Sequence, residues 1–242
     1  MDGHSIAEVW DRVVGTQPAP PAWLELGSAA VALLAVLPQP VWRLTRNVVT
    51  IAHEGGHGLT ALLTGRRLSG IRLHSDTSGL TLSSGRAAGP GMVLTAAAGY
   101  TAPSLLGLGG AALLAAGHVT ALLWISIALL AALLVMVRNA FGLLSVVVTG
   151  ATFLLVSWYG SSELQGAFAY LGVWFLLIGG VRPVAELQRK RRHGGARDSD
   201  ADQLARLTGV NAIVWVTVFL VVALASLVLG GSWLTGHVPP FG

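Results

Sequence analysis

The sequence predicts an all-α polytopic membrane protein of about seven transmembrane helices, with a small β-hairpin after the second of them. Three observations lead to this fold class. Only 11% of the 242 residues are charged and 53% are hydrophobic, whereas a soluble domain is about 25% charged. Apolar runs of about 20 residues, the length that crosses a bilayer, recur along the chain. One stretch of alternating polar and apolar residues interrupts them.

The composition also narrows the classes of function. The chain has no cysteine, which excludes disulfides and thiolate metal sites, so a transition metal would be held by His, Asp, Glu or Asn. The net charge of +4 comes from clustered arginines, and in a membrane protein such clustering reports orientation. We expect no nucleic-acid partner.

The first third of the chain predicts a surface segment and two spans. Residues 1–21 are polar with a Pro-rich end, and we expect an N-terminal cytoplasmic surface segment. Residues 22–242 are expected to form a single membrane-embedded domain. Its first span is predicted at 22–37, before two prolines that end a helix, and its second at 41–63.

Alternation replaces the helical pattern after the second span. Ile71 and Leu73, then Leu80 and Leu82, flank a five-residue polar loop and predict a β-hairpin. An open strand edge can bind an extended peptide by strand addition, so these four residues are the candidate substrate-binding positions. A simple connecting hairpin is the alternative.

The remaining chain predicts five further spans. Residues 87–137 contain no Asp, Glu, Lys or Arg, a length that fits two helices and a turn near His118. The other three spans are predicted at 140–158, 167–181 and 207–233. A polar stretch at 182–206 is predicted to be a cytoplasmic loop.

The basic residues predict an orientation. With a cytoplasmic N-terminus, seven spans place all of the 15 Lys and Arg residues except Arg43 and Arg46 on the cytoplasmic side. The C-terminus is then external, and we expect a multi-pass protein of the cell membrane. The basic run 189–192 needs no partner beyond the anionic lipid of the bilayer.

The most informative motif lies inside the second span. Residues 53–57 read His-Glu-Gly-Gly-His, an H-E-x-x-H pentapeptide. Residues four apart share a helix face, so the imidazoles of His53 and His57 can converge on one metal ion. Glu54 projects from a neighbouring angle, where it can accept a proton from an attacking water. The alternative is two hydrogen-bonded histidines and a salt-bridged glutamate, which the cost of three ionisable groups at membrane depth disfavours.

A catalytic zinc site has three protein ligands, so a third donor must come from elsewhere in the fold. The candidates with cytoplasmic access are Asp76, Asn139, Asp198, Asp200 and Asp202. Asp200 and Asp202 precede the last predicted span, whose start can carry them to the membrane edge. We choose Asp200, with Asp202, Asp76 and Asn139 left open, and helix capping by Ser199 or Asp200 as the structural alternative.

An H-E-x-x-H motif in a transmembrane helix, followed by a β-hairpin and further spans, resembles the site-2-protease family of intramembrane zinc metalloproteases. The resemblance is closest to its compact bacterial branch without a PDZ domain. It is best over residues 41–100, and the stretch 199–209 is similar to a recurrent element of that branch. The resemblance implies Zn²⁺ ligands at His53 and His57, a general base at Glu54, and a third ligand from the Asp of an L-D-G motif. That motif is absent here, and residues 138–142 are only loosely similar to the Asn-x-x-Pro stretch that precedes it.

The expected function is hydrolysis of peptide bonds in membrane-spanning proteins near the cytoplasmic side, with Zn²⁺ as cofactor. The expected partner is therefore a transmembrane protein or peptide substrate. A non-catalytic metal-binding pseudoprotease or membrane scaffold is the main alternative, since the L-D-G motif is missing. A metal transporter is less favoured, because the chain has no inverted repeat and only one convergent ionisable cluster. The oligomeric state is left open.

Overall fold

The structure, a computed structural model, describes residues 10–11, 13–18, 20–195 and 198–236. It is mostly helical and contains one small antiparallel sheet, as the sequence predicts. In chain order the elements are α1 (Ala22–Val36), α2 (Gln39–Leu63), β1 (Arg67–Leu73), β2 (Gly79–Ser84), α3 (Pro90–Ala115), α4 (Val119–Met136), α5 (Ala140–Tyr159), α6 (Ser162–Arg192), α7 (Asp200–Thr208) and α8 (Ala212–Leu234).

The number of candidate membrane spans is lower than expected. Among the described residues, five helices are long and apolar enough to cross a membrane, namely α3, α4, α5, α6 and α8. Helices α1 and α2 pass the same test only together, and they are bent by 105° at the break between them. They add a sixth candidate span if this bent pair is counted as one span. Helix α1 has 15 residues, a rise of about 22 Å, whereas the hydrocarbon core is about 30 Å thick. The chain is a multi-pass membrane protein, but the seven predicted spans are not confirmed.

Two predicted boundaries are wrong. The segment 182–206 is mostly helix rather than loop, because α6 continues to Arg192 and α7 begins at Asp200. The predicted span 207–233 is interrupted after Thr208. There Gly209 ends α7 with a φ of 73°, a conformation that glycine adopts easily, and the side chain of Asn211 caps α8. Helix α7 is therefore a separate short helix in front of the last span.

Helix α3 packs antiparallel to both α2 and α6, and small residues allow the helices to approach closely. A Cβ atom at Gly56 of α2 would overlap Ala102, and one at Gly180 of α6 would overlap Ser104. The second glycine of the H-E-x-x-H motif therefore serves helix packing. The contact brings the motif face of α2 against the first half of α3.

The two ends of the helical bundle carry opposite charge. One end, called the basic end below, holds the hairpin, the C-terminus of α6, and α7. Its arginines and lysine are Arg66, Arg67, Arg72, Arg86, Arg138, Arg189, Lys190, Arg191, Arg192 and Arg206. The opposite end holds the α3–α4 turn and the beginnings of α1 and α6. Its described residues include Asp11, Glu25 and Glu163, and no Lys or Arg.

The described part of the N-terminal segment, residues 10–11, 13–18 and 20–21, lies at the acidic end, on the other side from the one expected. The backbone amide of Gln17 donates a 2.8 Å hydrogen bond to the carbonyl of Gly117 in the α3–α4 turn. The Gln17 side-chain oxygen accepts a hydrogen bond from the amide of Thr120. The sequence predicts an N-terminal segment on the same side as residues 182–206. The error arises because α1 was counted as a full crossing, which reverses the side of everything that precedes it.

Candidate metal centre

The motif histidines lie side by side on α2, facing α3. Their Nε2 atoms are 3.2 Å apart, and the rings meet edge to face. The Nδ1 atom of His57 lies 2.7 Å from the backbone carbonyl of Thr95, which accepts a hydrogen bond from Nδ1–H. In the neutral imidazole, that hydrogen bond fixes the tautomer of His57, with the proton on Nδ1 and the lone pair of Nε2 facing His53.

Asp200, the predicted third ligand, meets both histidines. Its Oδ2 atom lies 3.3 Å from Nε2 of His53 and 3.2 Å from Nε2 of His57. The three donor atoms form a nearly equilateral triangle whose edges match a tetrahedron of about 3.3 Å edge, as expected for Zn²⁺ bonds of about 2.0–2.1 Å. Among the described residues, these three are the His and acidic side chains grouped closely enough to share a metal ion.

The chemistry of this donor set favours a cation. The Oδ2 atom of Asp200 is buried and has no hydrogen-bond partner among the described residues, and leaving such an atom unsatisfied is costly. A carboxylate oxygen and an imidazole lone pair repel each other when nothing positive lies between them. The residues present therefore fit a divalent metal ion, and His and carboxylate ligands suit Zn²⁺.

Helix α7 places Asp200 in the site through its N-terminal cap. Ser199 is the N-cap residue, and it forms a capping box with Asp202. Asp202 also forms an ion pair with Arg191 at the end of α6, with 2.5 Å between Oδ1 of Asp202 and Nη1 of Arg191. Ala201 and Leu204 anchor α7 in a buried cluster. Asp202 thus holds the helix in place, while Asp200 projects towards the histidines.

The other candidates for the third ligand lie elsewhere. Asp76 is at the hairpin tip, where the hydroxyl and amide of Ser78 hold the pKa of its carboxyl below the usual range. The side chain of Asn139 bonds both the amide and the carbonyl of Leu73. Asp198 is exposed and forms a 3.9 Å ion pair with Arg206.

Glu54 is buried beside the triangle and is held by the hairpin. Its side chain is 4% exposed, and the hydroxyl of Thr81 donates a 2.6 Å hydrogen bond to its Oε2 atom. A Cβ atom at Gly79 would overlap the carboxylate. Strand β2 therefore orients Glu54 through Thr81 and leaves room for it at Gly79. The sequence did not predict a role for either residue.

Helix α3 supplies the opposite wall of the site. A Cβ atom at Gly99 would overlap the imidazoles of His57 and His53. The ring of Tyr100 meets His53 edge to face at 4.9 Å and stacks on Phe219 of α8 at 5.2 Å. The carbonyl of Thr95 and the bare backbone of Gly99 carry no sequence signal of their own, because their role depends on helix packing.

The hairpin presents a different face to the site than expected. Ile71 and Leu73 are 1% and 0% exposed and pack in a cluster with Ile51 and Val146, so their side chains cannot contact a substrate. The outer edge of β1 is also covered, since the amide of Arg138 bonds the carbonyl of Ile71.

Strand β2 is the open side of the sheet. Leu80 and Leu82 are 46% and 43% exposed, and β1 is the strand with which β2 pairs in the described part of the chain. Thr81, between them, points to the other face and contacts Glu54. Of the four predicted substrate-binding residues, Leu80 and Leu82 remain candidates.

The fold and the site together define an integral membrane protein of the metalloprotease kind. Residues 26–230 match the family described as Peptidase M50B-like. The chain belongs to this family, which is the site-2-protease family, and the predicted resemblance is confirmed. Neither the curated proteins nor the solved structures gave a match.

Proposed function

We propose that this protein is a zinc-dependent intramembrane endopeptidase that cuts membrane-spanning protein substrates. The observation that carries the proposal is the convergence of two imidazole nitrogens and one buried carboxylate oxygen within 3.3 Å of one another, next to Glu54. The absence of an L-D-G motif had favoured a pseudoprotease. That argument loses force because Asp200 can supply the third ligand from α7.

The proposed ligands are His53, His57 and Asp200. When bound, Zn²⁺ would supply a Lewis acid that lowers the pKa of water and polarises the scissile carbonyl. The protein's own part is to keep the imidazole of His57 in the tautomer that offers Nε2, through the carbonyl of Thr95. Gly99 keeps the face of the imidazoles clear.

Glu54 is the proposed general base and acid. Its carboxylate accepts a proton from the attacking water and later donates that proton to the leaving amine. Thr81 bonds the Oε2 atom, and the Oε1 atom lies against the bare backbone of Gly79, so β2 positions both oxygens of the carboxylate. The carboxylate is nearly excluded from bulk solvent, which limits proton exchange with competing water.

The open edge of β2 is the proposed binding site for the substrate. A transmembrane helix must unwind before cleavage, because its peptide bonds are shielded by their own hydrogen bonds. An unwound segment can add to β2 as an extra strand and gain main-chain hydrogen bonds. Leu80 and Leu82 would contact its side chains, and Thr81 connects the same strand to Glu54.

The basic end is proposed to face the cytoplasm, according to the positive-inside rule. Asp200 and the hairpin lie at that end, so cleavage would occur near the cytoplasmic side. With this orientation, both the N-terminal segment and the end of α8 lie on the external side. The proposed side of the C-terminus is the external side, as the sequence predicts. The proposed side of the N-terminal segment is external instead of cytoplasmic.

The test compares wild type with Glu54→Gln in vesicles containing a single-span substrate, with zinc content measured on the same samples. Glu54→Gln should bind zinc normally and lose cleavage, because it keeps the site's shape but cannot take a proton. Glu163→Gln, the same exchange at the acidic end, is the matched control and should cleave normally. Retained cleavage in Glu54→Gln would exclude the proposed base. Wild type that binds zinc but cleaves no substrate would favour the pseudoprotease.

A further inference from the structure

A groove at the basic end lies between the last turns of α6 and the first turns of α8. It has a volume of about 540 Å³ and is separate from the metal centre. Its polar rim consists of Arg189, Arg192 and His193, and its apolar wall includes Ile213, Val216 and Leu220. A site of this size can hold a headgroup and part of a hydrocarbon chain.

The rim carries positive charge that no described carboxylate neutralises. Arg189 and Arg192 are three residues apart on α6, so they lie on the same helix face. Among the described residues, neither guanidinium is paired with a carboxylate, whereas Arg191 on a neighbouring face bonds Asp202. Two unpaired guanidinium groups side by side favour an anion with several acceptor oxygens, such as a phosphodiester.

A second polar group in the groove lacks a partner. The side-chain oxygen of Gln188 is buried and makes no hydrogen bond among the described residues. It lines the same groove as the arginines, and a buried amide without a partner is costly. A hydroxyl group on the anion's headgroup could satisfy it.

The position of the groove matches the boundary between headgroups and acyl chains. Helix α8 begins at Ala212, and its first turns are apolar apart from Thr217, so its lining residues belong at hydrocarbon depth. The arginines lie on the last turn of α6, among the other basic residues. Charge at one end of a groove and an apolar wall along the rest are complementary to an amphiphile.

We propose that the groove binds one anionic glycerophospholipid, with the phosphate on Arg189 and Arg192 and an acyl chain along α8. Val184 and Val216 line the groove and also pack in the cluster that contains Ala201 and Leu204 of α7. The lipid would therefore brace the helix that carries Asp200.

Native mass spectrometry of the purified protein with added phosphatidylglycerol or phosphatidylcholine, of the same chain length, tests the proposal. We expect wild type to bind phosphatidylglycerol at least about fivefold more tightly. The double variant Arg189→Gln/Arg192→Gln should lose about tenfold or more of this affinity, since each basic contact with anionic lipid is worth about 1 kcal/mol. Equal binding of the two lipids by wild type would overturn the proposal.

Two control variants separate the groove from charge in general and from folding. Lys190→Gln/Arg67→Gln removes the same charge at the same end, outside the groove, and should bind within about twofold of wild type. Arg189→Lys/Arg192→Lys keeps the charge and should stay within about threefold. An equal loss in Lys190→Gln/Arg67→Gln would show non-specific attraction and overturn the site.

Soluble competitors distinguish a lipid from other anions. Glycerol 3-phosphate carries the headgroup chemistry without the chain, and millimolar amounts should not displace phosphatidylglycerol. Displacement would show a plain phosphate site and contradict the lipid assignment. Displacement by an acidic peptide, with phosphatidylglycerol bound no better than phosphatidylcholine, would identify the groove as a protein-docking surface instead.

Discussion

The hydroxyl of Thr81 donates a 2.6 Å hydrogen bond to Oε2 of Glu54, and this bond ties the hairpin to the proposed base. Thr81 also lies within 3.2 Å of the backbone carbonyl of Glu54. The strand proposed to bind the substrate and the group proposed to transfer the proton are thus joined by one side chain. Movement of β2 on substrate binding would be transmitted directly to the carboxylate.

Replacing Thr81 with Val should reduce cleavage about tenfold while leaving zinc content unchanged. Valine keeps the shape of the side chain but cannot donate to Glu54, so the carboxylate loses its orientation. Proteolysis in vesicles and metal analysis of the same preparation are the measurements. Thr81→Ser restores the donor and should recover most of the rate. If Thr81→Val cleaved as fast as wild type, Thr81 would have no positioning role.

Asp200→Asn and Asp202→Asn should have different effects on metal binding. Asp200→Asn removes the proposed ligand charge and should weaken zinc binding by more than 100-fold, beyond the 10–100-fold typical of residues behind the ligands. Asp202→Asn leaves the donor triangle intact but weakens the capping box and the contact with Arg191. Competition with a zinc-binding dye measures both. A greater loss in Asp202→Asn than in Asp200→Asn would contradict the assignment of Asp200.

The sequence could locate α2 and the hairpin because each depends on a local period. The four-residue spacing of His53 and His57 sets their common face whatever the rest of the chain does. The hairpin's alternation likewise fixes which residues share a face. The alternation does not predict which element of the fold each face of the hairpin contacts. Thr81 carries no sequence signal because it lies between the two apolar residues Leu80 and Leu82, yet its face is the one that meets Glu54.

The identity of the third ligand and the number of spans could not be predicted from local sequence patterns, because both depend on tertiary contacts and on the direction of the backbone. Asp200 and Asp202 are both acidic residues in the first turn of α7, and the sequence alone favours them about equally. Only the capping box and Arg191 assign Asp202 to the helix cap. The span count failed at Gly209 and at the α1–α2 break, because apolar content continues through both positions while the backbone direction changes.

Gly99→Ala should disrupt the metal centre, because the added Cβ would overlap both imidazoles. The expected result is at least a tenfold loss of zinc affinity and of cleavage. Gly109→Ala lies on the same helix, where a Cβ would meet no atom within 4 Å, and is the matched control. It should keep full zinc binding and gain up to about 1 kcal/mol of helix stability. Equal behaviour of the two variants would show that the approach of α3 to the histidines is unimportant.

Arg182→Gln should destabilise the fold around the α1–α2 break. Arg182 donates to the carbonyls of Val36 and Leu37 and forms a 3.1 Å ion pair with Glu186. Glu186 also accepts a hydrogen bond from Trp42 of α2. Breaking such a largely buried pair costs about 3 kcal/mol or more, which should appear as a lower thermal unfolding midpoint in detergent. Lys190→Gln, about two turns further along α6, removes an exposed charge that lies outside the groove and should leave the midpoint within about 2 °C. A similar midpoint for both variants would exclude this role for Arg182.

The orientation can be tested by thiol labelling, because the natural chain contains no cysteine and each introduced cysteine gives an unambiguous signal. Thr16→Cys lies in the N-terminal segment beside the α3–α4 turn, and Lys190→Cys lies at the basic end. A membrane-impermeant maleimide added to intact cells should label Thr16→Cys and should reach Lys190→Cys only after the membrane is permeabilised.

The reason is that positive charge is retained on the cytoplasmic side, while the short, bent α1 does not add the crossing that would return the N-terminus to that side. Labelling of Lys190→Cys alone in intact cells would invert the topology and move the proposed cleavage to the external side. Protection of both positions would instead require an even number of crossings between them.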